Sequence, residues 1–176
     1  MKRINLPLDK QDIATLTAGE SVLLTGKVFT ARDAGHKRLV SMIEQNKPLP
    51  VDLKNATIYY VGPCPSKPGQ IIGSCGPTTS GRCDSYTPTL LQHGVTGMIG
   101  KGWRNEAVIN EMKKQGAIYF AAIGGAGALY ANCVQKAKLI AFEDLGAEAL
   151  FELTIKDFPA IVATDSKGNS IYKKSE

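Results

Sequence analysis

Histidine is scarce, with His36 and His93 the only two in 176 residues, and the four cysteines, Cys64, Cys75, Cys83 and Cys133, form no Cys-x-x-Cys pair. No self-contained metal site is therefore expected. Free buried thiols are the default reading of these cysteines, because cysteine packs as a small hydrophobe. Cys83 stands apart, since it lies inside a polar loop. Long apolar runs are also missing. None approaches the ~20 residues that span a bilayer, and the start of the chain, Met1 to Pro7, has no apolar signal core. The expectation is a cytoplasmic protein that does not enter a membrane. A basic stripe is absent as well: Lys and Arg exceed Asp and Glu by 21 to 16, but they are dispersed, with short runs such as His36-Lys37-Arg38 and Lys173-Lys174. That scatter argues against nucleic acid and leaves a small anion as the partner that a positive chain favours.

What is present is ordinary globular material, 43% hydrophobic and 21% charged, which fits one domain over residues 1–176 with a sizeable core. Its least ordinary stretch is Gly76-Pro77-Thr78-Thr79-Ser80-Gly81-Arg82-Cys83-Asp84, where hydroxyls, glycines and a guanidinium crowd together with no large apolar side chain to bury. Free backbone N–H groups at a helix start plus an arginine fork make a carboxylate or phosphate site. The plainer alternative is a capped turn, with Thr79 or Ser80 as N-cap and Arg82 solvated.

Around this loop the pattern alternates between strands and helices. Strands are expected at Ile4 to Leu8, as a pair within Glu20 to Phe29, and at Ala56 to Val61, Gln70 to Cys75, Val95 to Ile99 and Ala117 to Ile123; two more follow at Ala147 to Ile155 and Ala160 to Thr164. A little helix is expected within Asp9 to Leu16. Asp33 reads as the N-cap of a helix facing inward with Leu39, Val40 and Ile43, and places Arg32 at its mouth, with His36 one turn in. Thr87-Pro88 opens a helix that Gly94 closes, and Asn105 to Gly116 forms another around Val108, Ile109 and Met112.

Two glycine-flanked segments need testing as nucleotide sites. Lys101 follows Gly100, but Val95 and Gly102 stand where a phosphate loop requires glycine and Ser or Thr, leaving a lysine at a strand's carboxyl end. Gly124-Gly125-Ala126-Gly127-Ala128 follows a strand and precedes a helix, with Glu143 and Asp144 near the distance of a ribose contact. Tyr130 nevertheless occupies the third glycine position of a dinucleotide fingerprint. A nucleotide-binding oxidoreductase and a non-catalytic dicarboxylate-sensing module both remain open at this point.

Ala31-Arg32-Asp33-Ala34-Gly35-His36-Lys37-Arg38, Gly76 to Arg82, Gly97-Met98-Ile99-Gly100-Lys101-Gly102, Gly124 to Ala128 and Lys156-Asp157-Phe158-Pro159-Ala160 occur together and in order. This set, spread over the whole length, resembles the β subunit of class I, iron-sulfur fumarate hydratases, with the L-tartrate dehydratase β subunit a close relative. Gly81, within Ser-Gly-Arg, favours the fumarase branch. The resemblance implies an α/β fold of the swivelling β/β/α kind, in which a mixed sheet is layered on a second sheet with helices outside. It implies reversible hydration of fumarate to (S)-malate, a C4-dicarboxylate substrate, and a [4Fe-4S] cluster held by a partner α subunit and not by this chain. An α2β2 assembly or a β–β contact is implied too. By matching positions, Thr78 is the catalytic base and Arg82 its activating neighbour. Arg32 and Lys101 bind carboxylates, Gly76 and Thr79 complete the substrate contacts, and His36 and Gly125 support them. Cys83 departs from the methionine expected there, with no named role affected. The assignment is physically sensible: a dianion needs at least two cations, and the aci-carboxylate formed by loss of the C3 proton needs preorganised donors.

Overall fold

The computed structural model describes residues 1–172, so the Lys173-Lys174 pair lies outside the described residues. Seven strands, β1 (Lys2–Asn5), β2 (Ser21–Thr30), β3 (Thr57–Tyr59), β4 (Gly97–Gly100), β5 (Ile118–Ala121), β6 (Val134–Ala141) and β7 (Leu150–Thr164), form one mixed sheet in the order β1-β2-β3-β4-β5-β7-β6. Because β7 also pairs with β2, strands β2, β3, β4, β5 and β7 close into a small barrel. Strands β1 to β5 run parallel to one another, and β7 runs antiparallel to β2, β5 and β6. The expected mixed α/β character is present. The expected layering of one sheet on another takes the form of a single sheet curved back on itself.

The strand sequences explain this closure. Along β3 to β5, side chains go alternately to two cores. Tyr59, Ile99, Ile118 and Phe120 join Leu24, Leu153 and Phe158, while Ile58, Tyr60, Met98 and Tyr119 join Leu39, Leu90, Val108 and Met112 from the helices. Strands buried on both faces read as continuous apolar runs and not as alternation. The helix layer consists of α2 (Asp33–Glu44), α3 (Thr87–Gln92) and α4 (Glu106–Gln115). Helix α4 shows why these residues form helices where they do: Asn105 accepts a hydrogen bond from Val108 N at 2.9 Å, and Gly116 ends the helix in the left-handed region. Met112 on its inner face is fully buried, and truncating it to alanine costs about 2–5 kcal/mol.

Several local expectations give way to tertiary context. Gln70 to Cys75 is an open loop and not a strand, with Ile71 exposed. Glu20 to Phe29 is one strand bearing an irregularity between Leu24 and Gly26, not a pair. The two strands expected at Ala147 to Ile155 and Ala160 to Thr164 are one fifteen-residue β7. It continues through Asp157, whose amide N donates to Thr25 Oγ1 at 3.0 Å. Arg32, not Asp33, occupies the N-cap of α2 and makes no side-chain cap bond. Short helices α1 (Lys10–Thr15) and α5 (Gly127–Cys133) complete the fold. Among the described residues, no helix is long and apolar enough to cross a membrane.

Candidate functional site at the carboxyl ends of the parallel strands

Strands β2, β3, β4 and β5 are parallel, so their carboxyl ends share one rim, the usual place for ligand groups in parallel α/β sheets. Arg32 follows β2, Gly62 lies just past β3, Lys101 follows β4, and Gly124-Gly125 follows β5. The Gly76–Asp84 loop is inserted into this rim as a strand-like rung. Thr78 N and Thr78 Oγ1 both donate to the Tyr60 carbonyl, at 2.8 and 3.0 Å. Ser80 N donates to Lys101 O at 3.0 Å, and Thr79 bridges Lys101 in parallel register. The structure thus brings Thr78, Thr79 and Lys101 together between the ends of β3 and β4. Arg82 is exposed on the single 3-10 turn Ser80–Cys83 that follows.

The side-chain caps considered for this turn are not formed. Thr79 stands at the N-cap position of the turn, but its side chain makes no cap bond, and the Ser80 hydroxyl is engaged with Tyr119 at 2.9 Å. Neither side chain caps the turn. Thr78 Oγ1, with its proton on a backbone carbonyl, keeps its lone pairs for an incoming group.

Arg32 has a place made for it by a glycine, and Lys101 packs beside one. A Cβ built on Gly62 would come within 2.7 Å of Arg32 Cδ and 3.1 Å of Nη1, so the bare backbone there seats the half-buried arginine. Arg32 Nε lies 3.9 Å from Glu148 Oε1 and is buried without a hydrogen-bond partner. A Cβ on Gly124 would lie 3.5 Å from Lys101 Nζ. Gly76 packs on Gly127, where a Cβ would come 3.4 Å from Gly127 Cα, and this draws the glycine loop after β5 alongside the rung. Gly125 faces open space with a φ of +81 and touches nothing within 4 Å of a Cβ position. It turns its loop and braces no other segment.

His36 supports Arg32 from inside. It is fully buried, its Nδ1 donates to Arg32 O at 2.8 Å, and its ring meets Tyr60 edge-on at 4.7 Å. Burial lowers its pKa to about 4, so it is neutral and remote from solvent. Cys83 lies 3.9 Å from Asp33 Oδ1, joining the Arg82 turn to the start of α2. Burial pushes its thiol up to about 12, and a protonated thiol is neither nucleophile nor metal ligand. The cysteines do not assemble a ligand set: among the described residues no group of three or more His, Cys, Asp or Glu side chains could hold a metal ion. The ribose-contact reading of Asp144 also meets a competing use, because Arg38 binds both its oxygens at 2.7 and 2.8 Å. The helix after the glycine loop, α5, has only seven residues.

Sequence reasoning missed Gly62, Glu148, Tyr60, Tyr119, Asp84 in its structural role, and Arg104. Arg104 is buried, with Nε 2.7 Å from Asp84 Oδ1. Its only sequence signal was an arginine three positions beyond Lys101, just before the Asn105 cap.

Comparison with known proteins bears on this rim. A model of the fumarase C-terminus matches residues 1–175. The chain is 38% identical over 173 residues to fumarate hydratase 2 of Leishmania major, covering 96% of this chain and 30% of that one. It is 36% identical over 176 residues to the anaerobic class I fumarate hydratase of Escherichia coli, covering 99% and 31%. A putative L(+)-tartrate dehydratase subunit beta of Methanocaldococcus jannaschii is 38% identical over 173 residues, covering 95% and 89%. The chain therefore spans about a third of the length of these fumarate hydratases and nearly all of the tartrate dehydratase subunit. A positive rim built on four parallel strand ends, together with a match running from the first residue to within one of the last, places the chain in the fumarase C-terminal domain family.

Proposed function

We propose that this chain is the β-subunit-like part of a hydro-lyase that interconverts fumarate and (S)-malate, acting as a single domain beside an α subunit that completes the site. The observation that carries the reading is the rung: it fixes Thr78 and Thr79 beside Lys101, one turn before Arg82, on the rim that also bears Arg32. Arg32 and Lys101 bind the two carboxylates of the dianion, with Gly76 and Thr79 lining the substrate. Thr78 Oγ1 receives the C3 proton as the alkoxide left when its own proton passes to solvent, and Arg82 stabilises the charge that develops as the C3 proton leaves. A hydroxyl is a weak base at its free pKa, so positive charge beside Thr78 is what makes the step accessible. Gly125 and His36 serve by shaping the loop after β5 and the backbone of Arg32.

A [4Fe-4S] cluster on the α subunit would supply the Lewis acid for the departing C2 hydroxyl; among the described residues this chain offers no ligand set for it. The partner reading is supported by the name of the Methanocaldococcus relative, a subunit beta, and by the two thirds of the fumarate hydratases that this chain does not span. An α2β2 assembly, a cytoplasmic site of action and a rigid-body swivel of this domain against the α subunit belong to the same proposal; free cysteines fit a reducing compartment. A second reading, dehydration of L-tartrate, rests on the equal identity to the tartrate dehydratase subunit. The deciding experiment is anaerobic reconstitution with the α subunit and assay of fumarate, (S)-malate and L-tartrate turnover. Fumarate turnover dominant in the complex and absent from the chain alone is the expected result. L-tartrate dominance replaces the substrate, and activity of the isolated chain overturns the two-part site.

A further inference from the structure

A buried charge lies directly beneath the rung. Arg104 is 3% exposed, and its Nε donates to Asp84 Oδ1 at 2.7 Å while Asp84 Oδ2 accepts from Asn105 N at 2.7 Å. The far end of the guanidinium reaches Thr87 Oγ1 at 2.8 Å and Tyr60 Oη at 3.3 Å. Its Cζ lies 5.0 Å from the ring centres of both Tyr60 and Tyr119. Burying an ion pair is costly, and apolar residues of equal volume usually stabilise as well, so such a pair is better explained by an arrangement it specifies.

Each partner of Arg104 leads to a segment of the rim. Tyr60 offers its carbonyl to Thr78. Asp84 ends the turn that carries Arg82, and Thr87 Oγ1 donates to Cys83 O, at the last residue of that turn, at 2.9 Å. Tyr119 Oη lies 2.8 Å from Gly102 O and 2.9 Å from Ser80 Oγ. A carbonyl can only accept, so the Tyr119 proton goes to Gly102 O and the Ser80 hydroxyl donates in return. One phenol thereby ties the turn to the loop after β4. Gly100 permits the same approach, because a Cβ there would overlap Ser80 Oγ.

We propose that Arg104 and Tyr119 are positioning residues: Arg104 through Asp84, Thr87 and Tyr60, and Tyr119 through the hydroxyl that joins Ser80 to Gly102, together fix the Thr78–Arg82 segment at a set distance from Lys101. This rests on the functional reading given above, and Arg104 itself, being buried, touches no substrate. The test uses two variants in the reconstituted complex. Tyr119→Phe removes the hydroxyl that joins turn and loop while leaving the ring over Arg104. Arg104→Lys keeps the charge beside Asp84 but cannot serve Thr87 and Tyr60 at once. Misplacement of reacting groups predicts a fall in kcat of about tenfold or more with KM within about threefold of the parent. Hydrogen exchange of the amides at 78–84 should accelerate while that of β7 is unchanged. Unchanged kcat and unchanged exchange in folded Tyr119→Phe overturn the proposal, even where Arg104→Lys does not fold. So does a loss of activity that merely follows a lowered Tm, with β7 exchange accelerating equally. If the parent complex hydrates neither fumarate nor a related diacid, the functional reading fails by itself. The exchange arm then decides alone: faster exchange confined to 78–84 supports the tie, and unchanged protection refutes it.

Discussion

Acid should weaken this protein through one imidazole before its carboxylates are involved. His36 has no exposed surface, and its Nδ1 proton is given to Arg32 O, so protonation would place a second N–H at Nε2, which has no hydrogen-bond partner. Desolvation is the largest influence and, with Arg104 adding repulsion, lowers the pKa from 6.5 to about 4 against the opposing effects of the Arg32 carbonyl and Asp33. The unfolded chain therefore binds this proton more tightly than the folded one. Stability is fully present above 6.5 and is lost as pH falls towards 4. Integrated from about pH 7.5 to about pH 5, one such group removes roughly 2 kcal/mol, which for a chain of this size lowers Tm by about 4–8 °C. Asp165, whose pKa is depressed below 3.8 by its hydrogen bonds to Asn169, Ala18 and Lys167 despite its burial, loses its contribution only below this window. Calorimetry of the parent and His36→Gln at the two pH values isolates the effect, since only the difference between their pH responses counts. A parent Tm that falls no further than that of His36→Gln would refute the assignment of a buried neutral histidine.

Other outcomes follow from the rim. Arg82→Lys should lower kcat roughly tenfold or more, because an ammonium cannot reproduce the planar fork; steady-state kinetics of the reconstituted complex with near-normal turnover would return Arg82 to the solvent. Thr78→Ala should lower kcat with KM nearly unchanged, the pattern of an interaction made mainly in the transition state. Thr79→Ala, which loses an exposed hydroxyl with no cap bond, should shift stability by less than about 0.5 kcal/mol in thermal melts and cost only part of the activity. Equal, modest losses in both would exclude Thr78 as the base. Gly100→Ala forces a methyl group against Ser80 Oγ, with Ser80 Cβ at 3.2 Å and Tyr60 Cδ2 at 3.3 Å. It should cost about 1–3 kcal/mol by overpacking and lower kcat as the turn shifts; a normal melt with normal turnover would mean that the turn is not docked as described.

What the sequence made legible was local. The Asn105 cap, the Gly94 and Gly116 stops and the buried runs of β3 to β5 each depend on residues within a few positions. Strand Gln70 to Cys75 failed because apolar identity cannot reveal whether a neighbouring strand exists to pair with it; β6 went unread because its exposed lysines, Lys136 and Lys138, give an edge strand no apolar alternation. The site divides the same way. Thr78, Arg82, Arg32 and Lys101 are candidates named by the motifs of the family resemblance, whereas Arg104 and Asp84, twenty positions apart, meet only once the barrel has brought the ends of β3 and β4 together. A buried ion pair has no signature in one dimension.

The closure of β7 onto β2 has a consequence for how the protein comes into being. The pairing joins residues 21–29 to 152–161, so the barrel cannot form until residues 152–161 have left the ribosome. Until then β2 and β5 each lack a partner that β7 alone provides. Contacts of such long sequence separation fold slowly and leave strand edges open meanwhile. A rim assembled from four strand ends is correspondingly all or nothing. Whatever binds there meets either a completed surface or none.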